Sequence, residues 1–320
     1  MYTLKLTISL FKILKVKNTY RRSFLYIAPI IFLMLILPLI PFIPLYIIHF
    51  FILAFMYISL AQSWNIIGGV LGLVDFGHVV FFGMGAYTFT IAFIYYHLPL
   101  YISIILGGGA AALLALLLSP ILRLRGAYFA IGMFVIAEAF RITFTNWIWV
   151  GGGGGMYIPI PEQYSKTFFY YIMFALAIIT NYVTFLFINS KLGLASVAFR
   201  ENYIAAYTSG INIVKIRLYG FILSALFPGL VGGVYAYYLS FIAPPVFFGE
   251  YLTALMIFMV VLGGRGTFIG PIIGALITIF LSQLITFYFP FYDLIIYSII
   301  IIAIIIFTPE GIYGIIKHKF

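Results

Sequence analysis

Glu138 and Arg141 stand three residues apart inside an apolar run. On a helix, that spacing puts two side chains on neighbouring positions of one face. A charge at the centre of a membrane helix costs roughly 2.5–3.5 kcal/mol, so each needs a partner or water. Two readings follow: a neutralising pair that holds its helix in a bundle interior, or a charged patch lining a solute route. Asp75 and His78 are also three apart, ahead of another apolar run. Two ligands do not make a metal site, and no third donor stands near them. Asp75 reads as an acid capping a helix N-terminus, where the dipole favours negative charge, with His78 packed beside it. Glu250 and Asp293 read as N-terminal acids of the same kind, and His49 and His97 as interfacial or packing residues. The run Gly151–Gly155 lacks the Lys and the Ser or Thr of a phosphate loop. It reads as a flexible external loop or as a docking or gate loop. No nucleophile, base and orienting group occur as a set, so no enzyme is expected here, and no cofactor or metal is expected on this chain.

The elements that must carry these residues are written in the composition. Of 320 residues, 65% are apolar and 8% charged, and the mean hydropathy is +1.21. Soluble domains carry about 25% charged residues, so the chain reads as an all-α polytopic membrane protein. Cysteine is absent, which excludes a disulfide framework or a Cys-based metal site. The net charge of +10 sits mainly at the chain ends and in a few loops, as the positive-inside rule requires. Nucleic-acid binding is not expected. About 20 residues of helix span the roughly 30 Å hydrocarbon core. On that ruler ten spans are expected: 24–43, 46–67, 74–96, 99–121, 127–149, 168–188, 217–240, 251–263, 268–289 and 291–308. The eighth is short and reads as partial or tilted.

A basic tail over 1–22, a transmembrane region over 23–309 and a C-terminal tail over 310–320 result. With the N-terminus in the cytoplasm, alternation places Arg123, Arg125, the 189–217 segment, Arg265, Lys317 and Lys319 inside, and the 150–167 loop outside. Lys166 is the exception. Both termini are therefore expected inside a cell membrane, with an even number of crossings; eight would satisfy the same rule. The segment 189–217 is too long for a connector. It has a helical pattern, a glycine stop at Gly210 and bordering cations, and it reads as a cytoplasmic surface built for a partner. Glycines cluster around the third span (Gly77, Gly83 and Gly85 among them), in the seventh (Gly229, Gly232, Gly233) and around the ninth (Gly263, Gly264, Gly270, ahead of Pro271). Small residues let membrane helices approach closely, and they also allow broken helices at a binding site.

Three stretches together resemble a known family. SWNIIGGVLGLVDFGHVVFFGMGAYT (63–88), LRLRGAYFAIGMFVIAEAFRITFTNW (122–147) and LGGRGTFIGPIIGA (262–275) are similar in order and type to segments of LivM-type permease subunits of branched-chain amino acid ABC importers. The likeness runs from about Leu60 to the C-terminus. Asp75 stands where the family usually has a small hydroxyl residue, and the five glycines replace a Thr-Gly-Gly-like external segment. The segment that begins at Phe199 resembles the family's cytoplasmic coupling region: Arg200, Glu201, Ala205, Ala206 and Gly210 occupy matching positions, while Asn202 and Tyr207 stand where acids are often found. The resemblance implies an ABC importer permease bundle with four kinds of partner: a LivH-type second permease, two ABC ATPases that bind ATP and Mg, an external substrate-binding protein, and a small polar solute as cargo. Branched-chain or related amino acids are the expected cargo. A permease of the same superfamily for urea, amides, nucleosides or sugars is the alternative. A secondary transporter has no evident use for the 189–217 segment.

Overall fold

The computed structural model describes residues 29, 31–40, 43–159, 165–288, 299 and 311–314. The chain divides into two units, 1–49 and 50–320. In the first, residues 31–36 are helical and a 3-10 turn follows at Leu37–Leu39. The expected span at 24–43 is thus described only in part. The span at 291–308, with Asp293, lies outside the described residues apart from Ile299.

Helix α1 covers Leu45–Trp64 and closes in a π-helical turn, Asn65–Val70. Then follow α2 (Val79–Ile94), α3 (Leu100–Leu117) and α4 (Ala127–Asn146). After a short strand β1 (Met156–Tyr157) come α5 (Lys166–Asn189), α6 (Lys191–Glu201), α7 (Tyr203–Thr208) and α8 (Ile213–Leu239). Strand β2 (Phe241–Ile242), the single turn α9 (Pro244–Phe247), α10 (Glu250–Gly263) and α11 (Gly270–Tyr288) complete the order. Among the described residues, seven helical stretches are long and apolar enough to cross a membrane. The protein is an all-α, multi-pass integral membrane protein.

Two expected spans are discontinuous. The span at 74–96 begins in irregular, non-helical chain over 72–78 followed by α2, whose 16 residues cover only about 24 Å at 1.5 Å each. The short span at 251–263 is the inner part of a longer broken one: α9, a break at Phe248–Gly249, then α10. The two helices that restart after these breaks meet, because the Val79 amide donates to Thr253 Oγ1 at 3.0 Å.

Glycine sets the helix spacing. A Cβ at Gly85 would lie 2.2 Å from the Gly229 carbonyl oxygen, and one at Gly232 would lie 2.2 Å from that of Phe82. Helices α2, α3 and α8 therefore touch backbone to backbone, which supplies packing where the lipid gives no hydrophobic drive. Helices α10 and α11 meet likewise: a Cβ at Gly274 would lie 1.8 Å from the Met259 carbonyl oxygen.

Within the second unit the loops sort to two ends. At one end lie Gly68–Gly72, the Arg123–Arg125 turn, α6, α7 and Arg265, joined by hydrogen bonds from Arg200 to Gly69 and from Arg265 to Gly68. At the other end Tyr95 donates to the Trp149 carbonyl and β1 pairs antiparallel with β2, Met156 opposite Ile242. The glycine run lies here. Gly152–Gly154 form a 3-10 turn between two left-handed glycines, Gly151 (φ +84°) and Gly155 (φ +75°). Gly155 also packs on Ile242, whose carbonyl oxygen would be 2.3 Å from an added Cβ. Glycine is needed there for backbone shape, and the result is a folded turn.

Candidate functional site

The 189–217 segment is two short helices, each with its own stop. Ser190 Oγ accepts from the Gly193 amide at 3.1 Å and starts α6. Asn202 ends α6 and caps α7, its Oδ1 accepting from the Ala205 amide at 3.0 Å. A capping residue is needed at that position, and Asn serves as well as Asp. Gly210, at φ +77°, closes α7: the Gly210 amide bonds to the Tyr207 carbonyl and the Ile211 amide reaches back to Ala206, the paired bonds of a Schellman stop. Asn212 then caps α8 through the Lys215 amide. Beneath the turn, Phe199, Ala206 and Ile213 form a small core with Tyr203 and Ile211 against it.

The five residues expected to couple this segment to a partner divide by direction. Glu201 and Ala205 face solvent, as do Leu194, Ile204 and Tyr207, which leave an apolar outer surface. Ala206 is buried, 2% exposed. Arg200 turns inward: its Nη1 donates to the Gly69 carbonyl at 2.7 Å, while its Nη2 pairs with Glu201 at 2.9 Å. Two more cations hold the segment from behind. Arg125 lies over the Tyr203 ring at 4.1 Å and Arg217 over the Phe199 ring at 4.7 Å.

The comparisons with known proteins bear on these elements. A family model described as branched-chain amino acid transport system / permease component matches residues 46–308. The chain belongs to this permease family. It is 30% identical over 292 residues to the high-affinity branched-chain amino acid transport system permease protein LivM of Escherichia coli (strain K12), covering 81% of this chain and 68% of that protein. It is 29% identical over 288 residues to the LivM protein of Salmonella typhimurium, covering 80% and 67%. A probable branched-chain amino acid transport permease protein LivH of Methanocaldococcus jannaschii is 32% identical over 135 residues, 40% of this chain and 42% of that one. No solved structure matches the chain.

In this permease the Asp75–His78 pair is not a helix cap. The helix begins at Val79 with no side-chain cap, and Asp75 is spent on the loop before it. Its Oδ1 accepts from the Gly77 amide and its Oδ2 from His78 Nδ1, both at 2.9 Å. His78 Nε2 faces Ser63 Oγ at 2.9 Å. Ser63 Oγ also donates to the Leu60 carbonyl at 3.2 Å, so the ring bridges the loop carboxylate to α1. The order Ser, His, Asp is that of a hydrolase triad, but all three side chains are 0% exposed, so no substrate reaches the serine. The set fastens the irregular 72–78 chain to α1. Gly77 packs the same chain on α4, since a Cβ there would lie 2.0 Å from the Met133 carbonyl oxygen.

Glu138 and Arg141 are paired as their spacing predicts. Arg141 Nε donates to Glu138 Oε2 at 2.8 Å, and Nη2 makes a second bond to Oε1. The pair does not face the interior of this chain: the side chains are 28% and 34% exposed. Glu250, in the first turn of α10, is near enough for its charge to act on Arg141. Three charges at the middle of a membrane helix face and at a helix break belong against water or another subunit, since lipid would not solvate them. Gly83 lies beside this break, where an added Cβ would be 2.3 Å from the Phe248 ring. On the same broken span, a cavity of ≈ 250 Å³ is lined by Met56, Tyr57, Phe82, Tyr235, Val246 and Tyr251.

Gln62, Asn65 and Thr253 carry the polar contacts that sequence reading passed over. Asn65 Oδ1 accepts from the Gly266 amide at 2.9 Å and its Nδ2 donates to the Thr267 carbonyl at 2.8 Å. Gln62 Nε2 reaches the Phe268 carbonyl at 2.7 Å. Their signal was visible as polar residues in apolar helices, which must find a partner. Gly263, Gly264, Gly270 and Pro271 frame the loop that they hold, all four buried.

Proposed function

We propose that this permease forms half of the membrane pathway of an ATP-driven importer for branched-chain or related amino acids. The observation that carries the reading is the α6–α7 pair. It is a capped, glycine-stopped helix pair with an exposed apolar outer face, on the end of the bundle that gathers the basic residues. By the positive-inside rule that end is cytoplasmic. Both termini then lie in the cytoplasm, and ten crossings complete the bundle over 23–309. Two ATPase subunits that hold ATP and Mg would seat on α6–α7, with a LivH-type permease beside this chain and a binding protein delivering solute at the 150–167 end. The exposed Glu138–Arg141 face of α4 then borders the route and the second permease. ATPase closure moves α6–α7, and the bundle changes the side to which the route opens.

The test is replacement of residues 200–210 by a Gly/Ser linker in the reconstituted complex. Membrane insertion is expected to persist and substrate-stimulated ATP hydrolysis to disappear. Undiminished stimulation would overturn the reading.

A further inference from the structure

Carbonyls at the end of a helix lack intrahelical donors and need others. Helix α1 ends in a π-helical turn, a rare form that is frequent at functional sites. The chain that follows serves Ile66 and Ile67, through the amides of Leu71 and Leu73. Gly68 and Gly69 are served by side chains from elsewhere. Arg265 Nε donates to Gly68 O at 3.1 Å and Arg200 Nη1 to Gly69 O at 2.7 Å. Cations are favoured at that end of a helix.

Arg200 reaches its acceptor through a slot made of glycine. A Cβ at Gly72 would lie 2.6 Å from Arg200 Cγ, and one at Gly266 would lie 2.5 Å from Arg200 Nη1. Side chains there would close the slot. The far wall is already one piece with α1, because Asn65, Gln62 and Arg265 bond the 264–269 loop to the end of that helix. Val197 of α6 packs on Ile66 and Val70 beside the slot.

We propose that Arg200 is a positioning residue that transmits movement of α6–α7 to the π-helical end of α1 and the 264–269 loop, rather than a contact with the ATPase. This rests on the importer reading above. Its side chain converts a displacement of α6 into a pull on the Gly69 carbonyl at the end of α1. Phe199 and Tyr203 stay held by Arg217 and Arg125, so losing Arg200 leaves the helix pair in place but removes its polar tie to the end of α1, leaving the Val197 packing.

The experiment uses the full complex in proteoliposomes with Arg200→Met, Arg200→Lys and Glu201→Gln. Arg200→Met is expected to co-purify with the ATPase and keep basal hydrolysis. Solute imported per ATP should fall about 5-fold or more, the lower end of an allosteric coupling. Nucleotide-dependent amide exchange over residues 65–72 should vanish with it. Arg200→Lys, whose ammonium still reaches a carbonyl, should recover part of both, and Glu201→Gln, which removes the partner of Arg200 but keeps its bond to Gly69, should lower import per ATP less than Arg200→Met does. Wild-type import per ATP in Arg200→Met would overturn the inference. So would loss of ATPase co-purification in that variant alone, since Arg200 would then be a docking contact. A wild-type chain that binds no ATPase would overturn the importer reading itself.

Discussion

Removing Glu138 tests both what the pair is worth and what it faces. An unpaired charge at a helix centre costs roughly 2.5–3.5 kcal/mol on insertion scales. Two features reduce that figure here. The side chains are 28% and 34% exposed, and Glu250 remains within reach of Arg141. Glu138→Gln is therefore expected to destabilise the permease by about 1–2 kcal/mol, below the full cost of an unpaired membrane charge. Arg141→Met leaves two acids together and should cost a similar amount. The double variant leaves no orphaned charge in the pair and should sit within about 1 kcal/mol of wild type, giving a coupling energy of about 1 kcal/mol or more. Thermal unfolding of the four proteins in detergent reads the cycle. Additivity within about 0.3–0.5 kcal/mol would refute the pairing. Transport separates the two roles. If this face borders the route, the double variant regains stability but not import, and a stable double variant with normal import would refute the route.

Other outcomes follow from single contacts. The Tyr87 hydroxyl is buried without a hydrogen-bond partner, so Tyr87→Phe removes a penalty of about 1–3 kcal/mol and is expected to be neutral or stabilising in the same unfolding assay. Gly274→Ala drives a methyl to within 1.8 Å of the Met259 carbonyl oxygen. It is expected to push α10 from α11 and cost about 1–3 kcal/mol, seen as a lowered melting temperature.

Much of the fold was legible because membrane burial is a local property. Mean hydropathy and a 20-residue ruler located the spans at 99–121, 127–149, 168–188 and 268–289, where α3, α4, α5 and α11 stand. The same ruler could not see that the chain stays non-helical up to His78 and that the helix of the 74–96 span starts only at Val79. Leu71, Leu73 and Val74 are as apolar as a helix needs, and the break depends on Asp75 bonding Gly77 and His78. At the coupling segment the stop at Gly210 was readable, since a left-handed residue ending a helix is a one-residue property.

The sequence by itself determined the membrane class, the basic end, the helical pattern and glycine stop of the 189–217 segment and the Glu138–Arg141 pairing. Each rests on residues within a few positions of one another, where helical geometry alone sets distance. Only the tertiary structure decided that Arg200 turns inward to Gly69, 131 residues away in sequence, and that Glu138 and Arg141 face outward. Those outcomes depend on which distant backbone carbonyl or open face a side chain meets once the helices pack, and no local pattern encodes that.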